Sequence, residues 1–434
     1  MTCATADLLS PLDAGTFDAL MATFEPWEMR PRLAVGLSGG ADSKALTLLA
    51  RDWLAARDGE LVALVVDHGL RPEAAPEAEA VAAWCRRLAI NVEVLRWQST
   101  RPVSGIEAAA RSARHDLLKR AVERRGILHL LLAHHVDDQA ETVAMRRESG
   151  SGTRGLAGMS ACVEWAGYRV LRPFLGVPRE RLVATLKTRH ETWVEDPMNR
   201  DTRFARARLR SRGNLPAPDC NMATARIRLE DDLAAALPGL LTLDRFGAAA
   251  LDRRVFRSLP DDLARLVLMS VARLVGGLEH APRGDRIEAM AGALRSAEPV
   301  SRTLGRCHWK GDSTVSVTRE ARHLPTVTAN GGFDPVVWDR RFRVVLPKGT
   351  WTVRPFDPAG DREVCGNPSG FASRIERTLP VIDGLEGLVA VPHLDWTTLG
   401  ANQAIRARFV PPQPLSGPRF TLSYGAGIDR VRTP

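Results

Sequence analysis

Residues 33–46 read Leu-Ala-Val-Gly-Leu-Ser-Gly-Gly-Ala-Asp-Ser-Lys-Ala-Leu. The apolar start predicts a strand, which ends at Ser38-Gly39-Gly40 before a helix begins. Such a turn directs backbone N–H groups, two hydroxyls and a positive helix end toward one point, and these groups favour a bound phosphate. A carboxylate here would repel phosphate unless Mg²⁺ lay between them. We therefore predict a metal–nucleotide site, unlike a Walker A loop, at Ser38, Gly39, Gly40, Ala41, Asp42 and Ser43. An ordinary strand-to-helix turn, with Ser43 near the helix cap, is the alternative.

Strand-like and helix-like segments alternate along the first half of the chain. Apolar, β-branched runs of strand length occupy residues 33–37, 61–66, 92–95, 128–133 and 170–175. Alanine-rich segments with helical spacing separate them, at residues 44–57, 76–88 and 106–124. This alternation predicts an α/β fold with a doubly wound parallel sheet, in which ligands bind beyond the carboxyl ends of the strands.

Three domains are expected. Residues 215–218, Leu-Pro-Ala-Pro, are typical of a linker, which gives a catalytic domain over residues 1–215. Residues 216–330 have the composition of a helical domain, and short apolar runs within residues 331–434 indicate a small β-containing domain. We expect the last twenty residues to be frayed.

Composition and charge narrow the class of protein. The 434 residues are 44% hydrophobic and 26% charged, as in soluble globular proteins. The acidic first thirty residues are unlike a signal peptide, and no apolar run has the length of a membrane span. Six cysteines without a C-x-x-C pair indicate a reduced, cytoplasmic protein without a zinc or iron–sulfur site. The net charge of +9 favours a polyanionic partner, although only five of the 60 basic residues are lysines, a bias that a GC-rich genome also produces.

Two other strand ends carry polar side chains. Asp67 and His68 follow the second predicted strand, and Gly69 would let the backbone approach a flat group such as adenine. An ordinary turn explains them equally well. The fourth strand leads into His134-His135, and adjacent histidines on a strand cannot both face one metal ion without distortion.

Three carboxylates follow these histidines, at Asp137, Asp138 and Glu141. On a helix, Asp137 and Glu141 share a face, and Asp138 and Glu141 can converge. Paired carboxylates at a strand end suit two tasks, which are holding Mg²⁺ and receiving a cationic substrate. A capping pair on a solvated helix is the alternative.

Two pairs of arginines have helical spacing. Arg111 and Arg114 lie one turn apart, and Arg206 and Arg210 are related as i and i+4. Guanidinium groups bind phosphate bidentately, so each pair is a candidate for ATP or nucleic-acid phosphates. In so arginine-rich a chain, an exposed surface arginine is as frequent an explanation.

These motifs together resemble the tRNA(Ile)-lysidine synthetase family of PP-loop ATP pyrophosphatases. The resemblance covers about residues 30–215 and consists of S-G-G-x-D-S at 38–43, V-D-H-G-L-R at 66–71, A-R-x-x-R at 110–114, H-H-x-D-D-Q-x-E-T at 134–142, G-L-x-G-M at 155–159, R-P at 172–173 and E-D-P-x-N at 195–199. Ala207 departs from the family pattern, which usually has Asn after the residue matching Arg206.

The resemblance implies an ATP-dependent ligation of free lysine to the wobble cytidine of tRNA(Ile) with a CAU anticodon, through an adenylated cytidine. It implies that ATP binds at residues 38–43 with Asp67 and His68, and that Asp42 and Asp138 hold Mg²⁺. Arg111, Arg114 and Arg206 would balance charge, and Asp137 would bind and deprotonate lysine with support from Glu141; the roles of Asp137 and Asp138 can be exchanged. A thiolating relative and a non-catalytic RNA-binding protein are the alternatives, and the sequence leaves the oligomeric state open.

Overall fold

The computed structural model describes residues 10–69, 72–97, 106–165, 167–194, 208–209, 219–332, 335–366, 373–400, 405–411, 414–417 and 419–422. The chain forms two compact units. Unit 1 comprises residues 1–227 and 419–434, and unit 2 comprises residues 228–418. The linker predicted at residues 215–218 lies outside the described residues.

Unit 1 is built on a six-stranded sheet. Its strands are β1 (Arg32–Gly36), β2 (Glu60–Asp67), β3 (Asn91–Arg96), β4 (His129–Leu131), β5 (Cys162–Trp165) and β6 (Tyr168–Leu171). Its helices are α1 (Ala14–Ala22), α2 (Ala41–Ala55), α3 (Ala74–Arg87), α4 (Ile106–Arg125), α5 (Val136–Glu148), α6 (Thr153–Leu156) and α7 (Arg179–Thr188), and the chain continues into α8 (Cys220–Leu240).

The strand order is β3-β2-β1-β4-β6-β5, with parallel pairing throughout except between β5 and β6. Helices cover both faces. Leu33 and Val35 of β1 pack with residues of α1, α2, α3 and α7, whereas Ala34 packs with Leu118 and Val122 of α4. A strand buried on both faces reads as a continuous apolar run. The predicted doubly wound sheet is confirmed, and the carboxyl ends of β1, β2 and β4 lead into the three predicted site motifs.

Unit 2 contains antiparallel sheets with helices. Its helices after α8 are α9 (Arg253–Arg257), α10 (Asp261–Gly276), α11 (Gly284–Arg295), α12 (Asp361–Cys365) and α13 (Ser373–Glu376). Its strands are β7 (Leu241–Leu243), β8 (Ala249–Asp252), β9 (Val300–Leu304), β10 (Cys307–Gly311), β11 (Thr314–Arg319), β12 (Val327–Gly331), β13 (Val336–Trp338), β14 (Phe342–Val345), β15 (Gly349–Pro355), β16 (Pro380–Gly384), β17 (Gly387–Val391), β18 (Trp396–Thr397) and β19 (Arg406–Phe409).

The region predicted to be helical contains a sheet that the sequence analysis did not anticipate. Strands β7-β8-β11-β10-β9 form it, and residues of α10 and α11 share its core. Strand β9 gave little signal because its burial does not alternate: Val300 and Leu304 are buried, and the three residues between them are exposed. The predicted β-containing region holds two further sheets, β12-β15-β16-β17-β18 and β13-β14-β19.

Candidate active site

The phosphate loop, Ser38–Ser43, connects β1 to α2. Gly39 has φ +85°, and a Cβ atom built on it would lie 2.6 Å from Cγ2 of Val81. Both facts require glycine here. Helix α2 begins at Ala41, and Gly40 caps it without a side-chain hydrogen bond. Its first N–H groups therefore point out of the helix end without a capping side chain, the arrangement that binds an anion.

The hydroxyl groups of the loop bond to one another rather than capping the helix. Oγ of Ser43 donates to the carbonyl oxygen of Gly40 over 3.0 Å and accepts the backbone N–H of Ser38 over 3.2 Å. The two hydroxyl oxygens, of Ser38 and Ser43, lie 3.1 Å apart. Ser43 is thus not the helix cap, and both hydroxyls are held beside the free helix end.

A second segment holds the loop from outside. The backbone N–H of Val194 donates to the carbonyl oxygen of Gly39 over 3.3 Å, and Nζ of Lys44 donates to the carbonyl oxygen of Thr192 over 2.7 Å. Nζ of Lys44 also lies 4.7 Å from the ring centroid of Trp84, and burial lowers the pKa of Lys44. The chain entering the E-D-P-x-N motif is therefore fixed against the phosphate loop.

His135 joins the carboxylates of two different elements. Its Nε2 lies 3.7 Å from Oδ2 of Asp42 in the phosphate loop and 3.5 Å from Oδ2 of Asp138 in α5. Nε of Arg179 lies 3.5 Å from the other oxygen of Asp42. Burial raises the pKa of Asp42, although the charges of His135 and Arg179 oppose the rise. Asp42 and Asp138, the two residues predicted to hold Mg²⁺, therefore both lie close to the imidazole of His135.

The start of α5 forms a capping box. Nδ1 of His135 accepts the backbone N–H of Asp137 over 3.3 Å, and the backbone N–H of His135 donates to Oδ2 of Asp138 over 3.0 Å. Burial lowers the pKa of His135, but the hydrogen bond to Asp137 and the charges of Asp138 and Asp42 outweigh it, so the net pKa is raised. The alternative in which Asp138 caps the helix therefore accounts for one of its contacts, the hydrogen bond from the backbone N–H of His135.

The three carboxylates of α5 differ in exposure. The side chain of Asp137 is 51% exposed and that of Asp138 is 12% exposed, whereas Glu141 is fully buried. A soluble ligand therefore meets Asp137 first, and Glu141 lies within the protein beneath that surface.

Positive charges act on His134. Burial lowers the pKa of His134, and the charges of Arg172, Arg114 and Arg111 add to that effect, whereas the charge of Asp138 opposes it. Burial and the charge of Arg114 likewise lower the pKa of His68. Both arginines of the predicted pair on α4 therefore act electrostatically on the histidine after β4, and Arg114 also acts on the histidine after β2.

Asp67 stabilises the turn after β2. Its Oδ1 accepts the backbone N–H of Gly69 over 2.8 Å, and Gly69 has φ +56°. The side chain of Asp67 is buried and His68 is half-buried, and the nucleotide contact expected of both residues stays a prediction. The remaining predicted residues, Arg71, Glu195–Asn199, Arg206 and Arg210, lie outside the described residues.

Sequence reasoning missed two members of this site. His135 was considered only as a metal ligand, although Asp138 three residues later has capping-box spacing and could have identified it as the residue before a helix. Arg179 lies at the start of α7, outside the motifs, and the fold places it beside Asp42 although the two are distant in sequence.

Comparison with known proteins identifies the chain. Residues 15–214 match the family model described as the PP-loop domain. The tRNA(Ile)-lysidine synthase of Rhizobium meliloti is 35% identical over 386 residues, which cover 82% of this chain and 83% of that protein. The one from Caulobacter vibrioides is 36% identical over 383 residues, covering 85% and 88%.

The chain belongs to the tRNA(Ile)-lysidine synthase family. It is therefore a ligase with an ATP-using PP-loop domain. Among solved structures, a U34-tRNA thiolase from Methanococcus maripaludis matches with a TM-score of 0.40 and 17% identity, over 45% of this chain and 70% of that one. Within the part of this tRNA(Ile)-lysidine synthase family member that the structure describes, no helix is long and apolar enough to cross a membrane.

Proposed function

We propose that this protein uses ATP to join free L-lysine to C2 of the wobble cytidine of tRNA(Ile) with a CAU anticodon, releasing AMP and pyrophosphate in the cytoplasm. The observation that carries the proposal is the convergence of Asp42 of the phosphate loop and Asp138 of α5 on His135. That convergence joins an ATP-binding turn to the carboxylates that the H-H-x-D-D-Q-x-E-T motif supplies.

In the first step, O2 of the cytosine attacks the α-phosphorus of ATP and pyrophosphate leaves. The N–H groups at the start of α2 and the hydroxyls of Ser38 and Ser43 would hold the β- and γ-phosphates. Arg111 and Arg114 would stabilise the negative charge that develops in the transition state, and Arg206 is proposed to assist them.

The donor set fits a magnesium ion. Oδ1 of Asp42 is buried and accepts no hydrogen bond from the described residues, and Asp138 lies on the same histidine. Mg²⁺ is usually held by one or two carboxylates together with substrate phosphates and water. Asp42 and Asp138 would hold it, and when bound it would neutralise phosphate charge beside the loop.

In the second step, the ε-amine of lysine attacks C2 of the adenylated base and AMP leaves. At pH ~7.4 the neutral amine costs roughly 4 kcal/mol, because its pKa is near 10.4. The exposed carboxylate of Asp137 is placed to bind the ammonium and accept its proton, which offsets part of that cost. Glu141, on the same helix, is proposed to support the binding of the ammonium.

Residues 216–434 are proposed to grip the tRNA. A cavity of about 590 Å³ in unit 2 is lined by Arg245, Arg406, Arg408 and the buried His393. Neither ring nitrogen of His393 has a hydrogen-bond partner among the described residues. Three guanidinium groups around a neutral donor suit an RNA phosphate, which positions the nucleic acid without reading its bases.

The thiolation alternative is less well supported. Burial raises the pKa of Cys85 and of Cys162 to about 11 and that of Cys307 to about 12. A sulfur-transfer nucleophile requires the opposite shift, because the thiolate is the reactive form.

The test measures incorporation of labelled lysine into tRNA transcripts with a CAU anticodon, supplied with Mg²⁺ and ATP. Wild-type protein should label the isoleucine transcript only. Asp42→Asn should lose both pyrophosphate release and labelling, whereas Asp137→Asn should release pyrophosphate and fail to transfer lysine. Asp285→Asn, which alters an exposed carboxylate of unit 2, is the control.

Pyrophosphate release with some other acceptor, and no lysine transfer by wild-type protein, would keep the ATP chemistry and overturn the substrate. Absence of both signals would leave a non-catalytic RNA-binding protein.

A further inference from the structure

The end of the chain returns to unit 1. Residues 419–422, Arg-Phe-Thr-Leu, belong to the unit that contains the phosphate loop, although the whole of unit 2 precedes them in sequence. We call them the clasp segment. The prediction that the last twenty residues are frayed is wrong for these four residues, because they make specific contacts.

Backbone hydrogen bonding attaches the clasp segment to the α6–β5 loop, residues 157–161. The N–H of Ala161 donates to the carbonyl oxygen of Thr421 over 2.8 Å. The N–H of Thr421 donates to Oγ of Ser160 over 2.9 Å, and that hydroxyl donates to the carbonyl oxygen of Cys162 over 2.5 Å. The segment is therefore attached to the loop by one backbone–backbone hydrogen bond and by the hydroxyl of Ser160.

Apolar packing and a cation–π contact secure the same segment. Phe420 is 5% exposed and lies in a cluster with Ala157 and Ala223. The guanidinium of Arg226 lies 4.3 Å from its ring centroid and donates to the carbonyl oxygen of Arg154 in α6 over 3.1 Å. Buried aromatic contacts of this kind outweigh the fraying expected of a chain end.

The α6–β5 loop is bound on its other side to the catalytic helix α5. Gln139 exchanges two hydrogen bonds with the backbone of Met159, of 2.9 Å and 2.6 Å. Arg146 donates to the carbonyl oxygen of Gly158 over 2.8 Å. The loop therefore lies between α5, which carries Asp137 and Asp138, and the clasp segment.

The loop also holds Arg172, which is half-buried. Nη1 of Arg172 donates to the carbonyl oxygen of Ser160, and its backbone N–H donates to that of Ala161, both over 2.8 Å. The charge of Arg172 acts on His134 more strongly than those of Arg114 and Arg111. Ser160 and Ala161 thus bond to Arg172 and to the clasp segment at once.

We propose that the clasp segment positions the active site, by holding the α6–β5 loop so that Arg172 and α5 keep their places around His134. In this proposal it is a positioning element that acts through Ser160 and Ala161. This inference rests on the proposed function only in its kinetic test, which measures lysidine formation. A displacement of about 1 Å at a catalytic group can lower a rate about 100-fold, so the kinetic effect is measurable.

The experiment compares two truncations of the full chain. Deletion of residues 419–434 removes the clasp segment, and deletion of residues 423–434 retains it and is the matched control. We expect the longer deletion to lower kcat for lysidine formation at least tenfold, with KM for free lysine changed less than threefold, because Asp137 stays exposed. The shorter deletion should leave kcat unchanged.

Hydrogen exchange gives a readout that does not depend on the reaction. Peptides covering residues 157–165 should exchange faster after the longer deletion, whereas peptides of α2 should not. Ser160→Ala, which removes the acceptor for Thr421 and keeps the chain intact, should reproduce the faster exchange if the deletion protein does not fold. Ser160→Thr, which restores a hydroxyl, should recover protection.

Wild-type kcat and wild-type exchange after the longer deletion would overturn the proposal, as would equal losses from both deletions. If wild-type protein transfers no lysine, the proposed function fails, and the exchange comparison still decides whether the clasp segment holds the loop.

Discussion

Gly39 combines a left-handed backbone with a side chain of α3 packed against its Cα. We expect Gly39→Ala to destabilise the protein by more than the ~1 kcal/mol that positive φ alone costs an L-residue, and to raise KM for ATP. Adding Val81→Ala should relieve the contact and recover part of the stability. Gly126→Ala is the control, because Gly126 has φ +61° with nothing within 4 Å of the added Cβ. Urea unfolding measures the losses, and equal losses at both glycines would show that Val81 is irrelevant.

His393 makes the stability of unit 2 depend on pH. Burial, with the charges of Arg245 and Arg341, lowers its pKa to about 4. Between pH 6.5 and pH 4, His393 binds a proton in the unfolded chain but not in the folded unit. The free energy of unfolding therefore falls as the pH falls. The loss should be about 2 kcal/mol between pH 7.5 and pH 5. His393→Gln should lack this component, which hydrogen exchange in unit 2 measures. Parallel pH profiles for the two proteins would contradict it.

At the scale of elements, Asp138 has two roles that substitutions can separate. It caps α5, and its carboxylate supplies a negative charge. Asp138→Asn keeps an oxygen for the N–H of His135, whereas Asp138→Ala loses it. Only Asp138→Ala should therefore lose stability, by about 1 kcal/mol. Both variants should lose lysine transfer if the charge holds Mg²⁺. Thermal unfolding and the labelling assay separate the two duties, and an active Asp138→Asn protein would remove the metal role.

Arg253 performs a comparable structural duty at the end of α11. It is 1% exposed, and it donates to the carbonyl oxygens of Leu294, Ser296 and Glu298 over 2.8, 2.7 and 2.6 Å. Arg253→Met fills the space but removes the donor to the carbonyl oxygen of Glu298 and leaves those of Leu294 and Ser296 with Arg257 alone, which should cost about 2–4 kcal/mol. Arg257→Met, at an exposed residue that also donates to Leu294, should cost less than about 0.5 kcal/mol. Denaturant unfolding of unit 2 compares them, and a similar cost for both would refute the capping role.

For the whole molecule, binding of tRNA should depend steeply on salt. The logarithm of affinity should fall with the logarithm of salt concentration by about 0.7–0.9 per neutralised phosphate. Replacing Arg406 and Arg408 together by alanine should reduce that slope by roughly one or two such increments. With fewer phosphate contacts, fewer counterions are released from the tRNA on binding. Filter binding across a salt series measures it. Arg254→Ala, at an exposed arginine that does not line the cavity, is the control, and a flat salt response would remove tRNA as the partner.

The features that could be predicted from the sequence are those that a local pattern of residues encodes. The doubly buried strand at Leu33–Val35 and the glycine at position 39 are readable because burial and positive φ restrict residue type directly. The sheet of residues 241–319 was missed because its strands are short and because the burial of β9 does not alternate. Arg179 and the clasp segment could not be found, because their roles arise from contacts between residues distant in sequence, and no local periodicity records such contacts.

Ribosomes synthesise a chain from its first residue to its last, so residues 419–422 are made after residues 1–227 of unit 1 and after the whole of unit 2. Premature termination anywhere in unit 2 therefore yields a nascent product with a complete phosphate loop and no clasp segment. Such a product leaves the amide of Ala161 and the apolar surface at Ala157 uncovered, the kind of surface that proteases and chaperones recognise. Under the proposed role of the clasp segment, lysidine formation would therefore require translation to continue at least through residue 422.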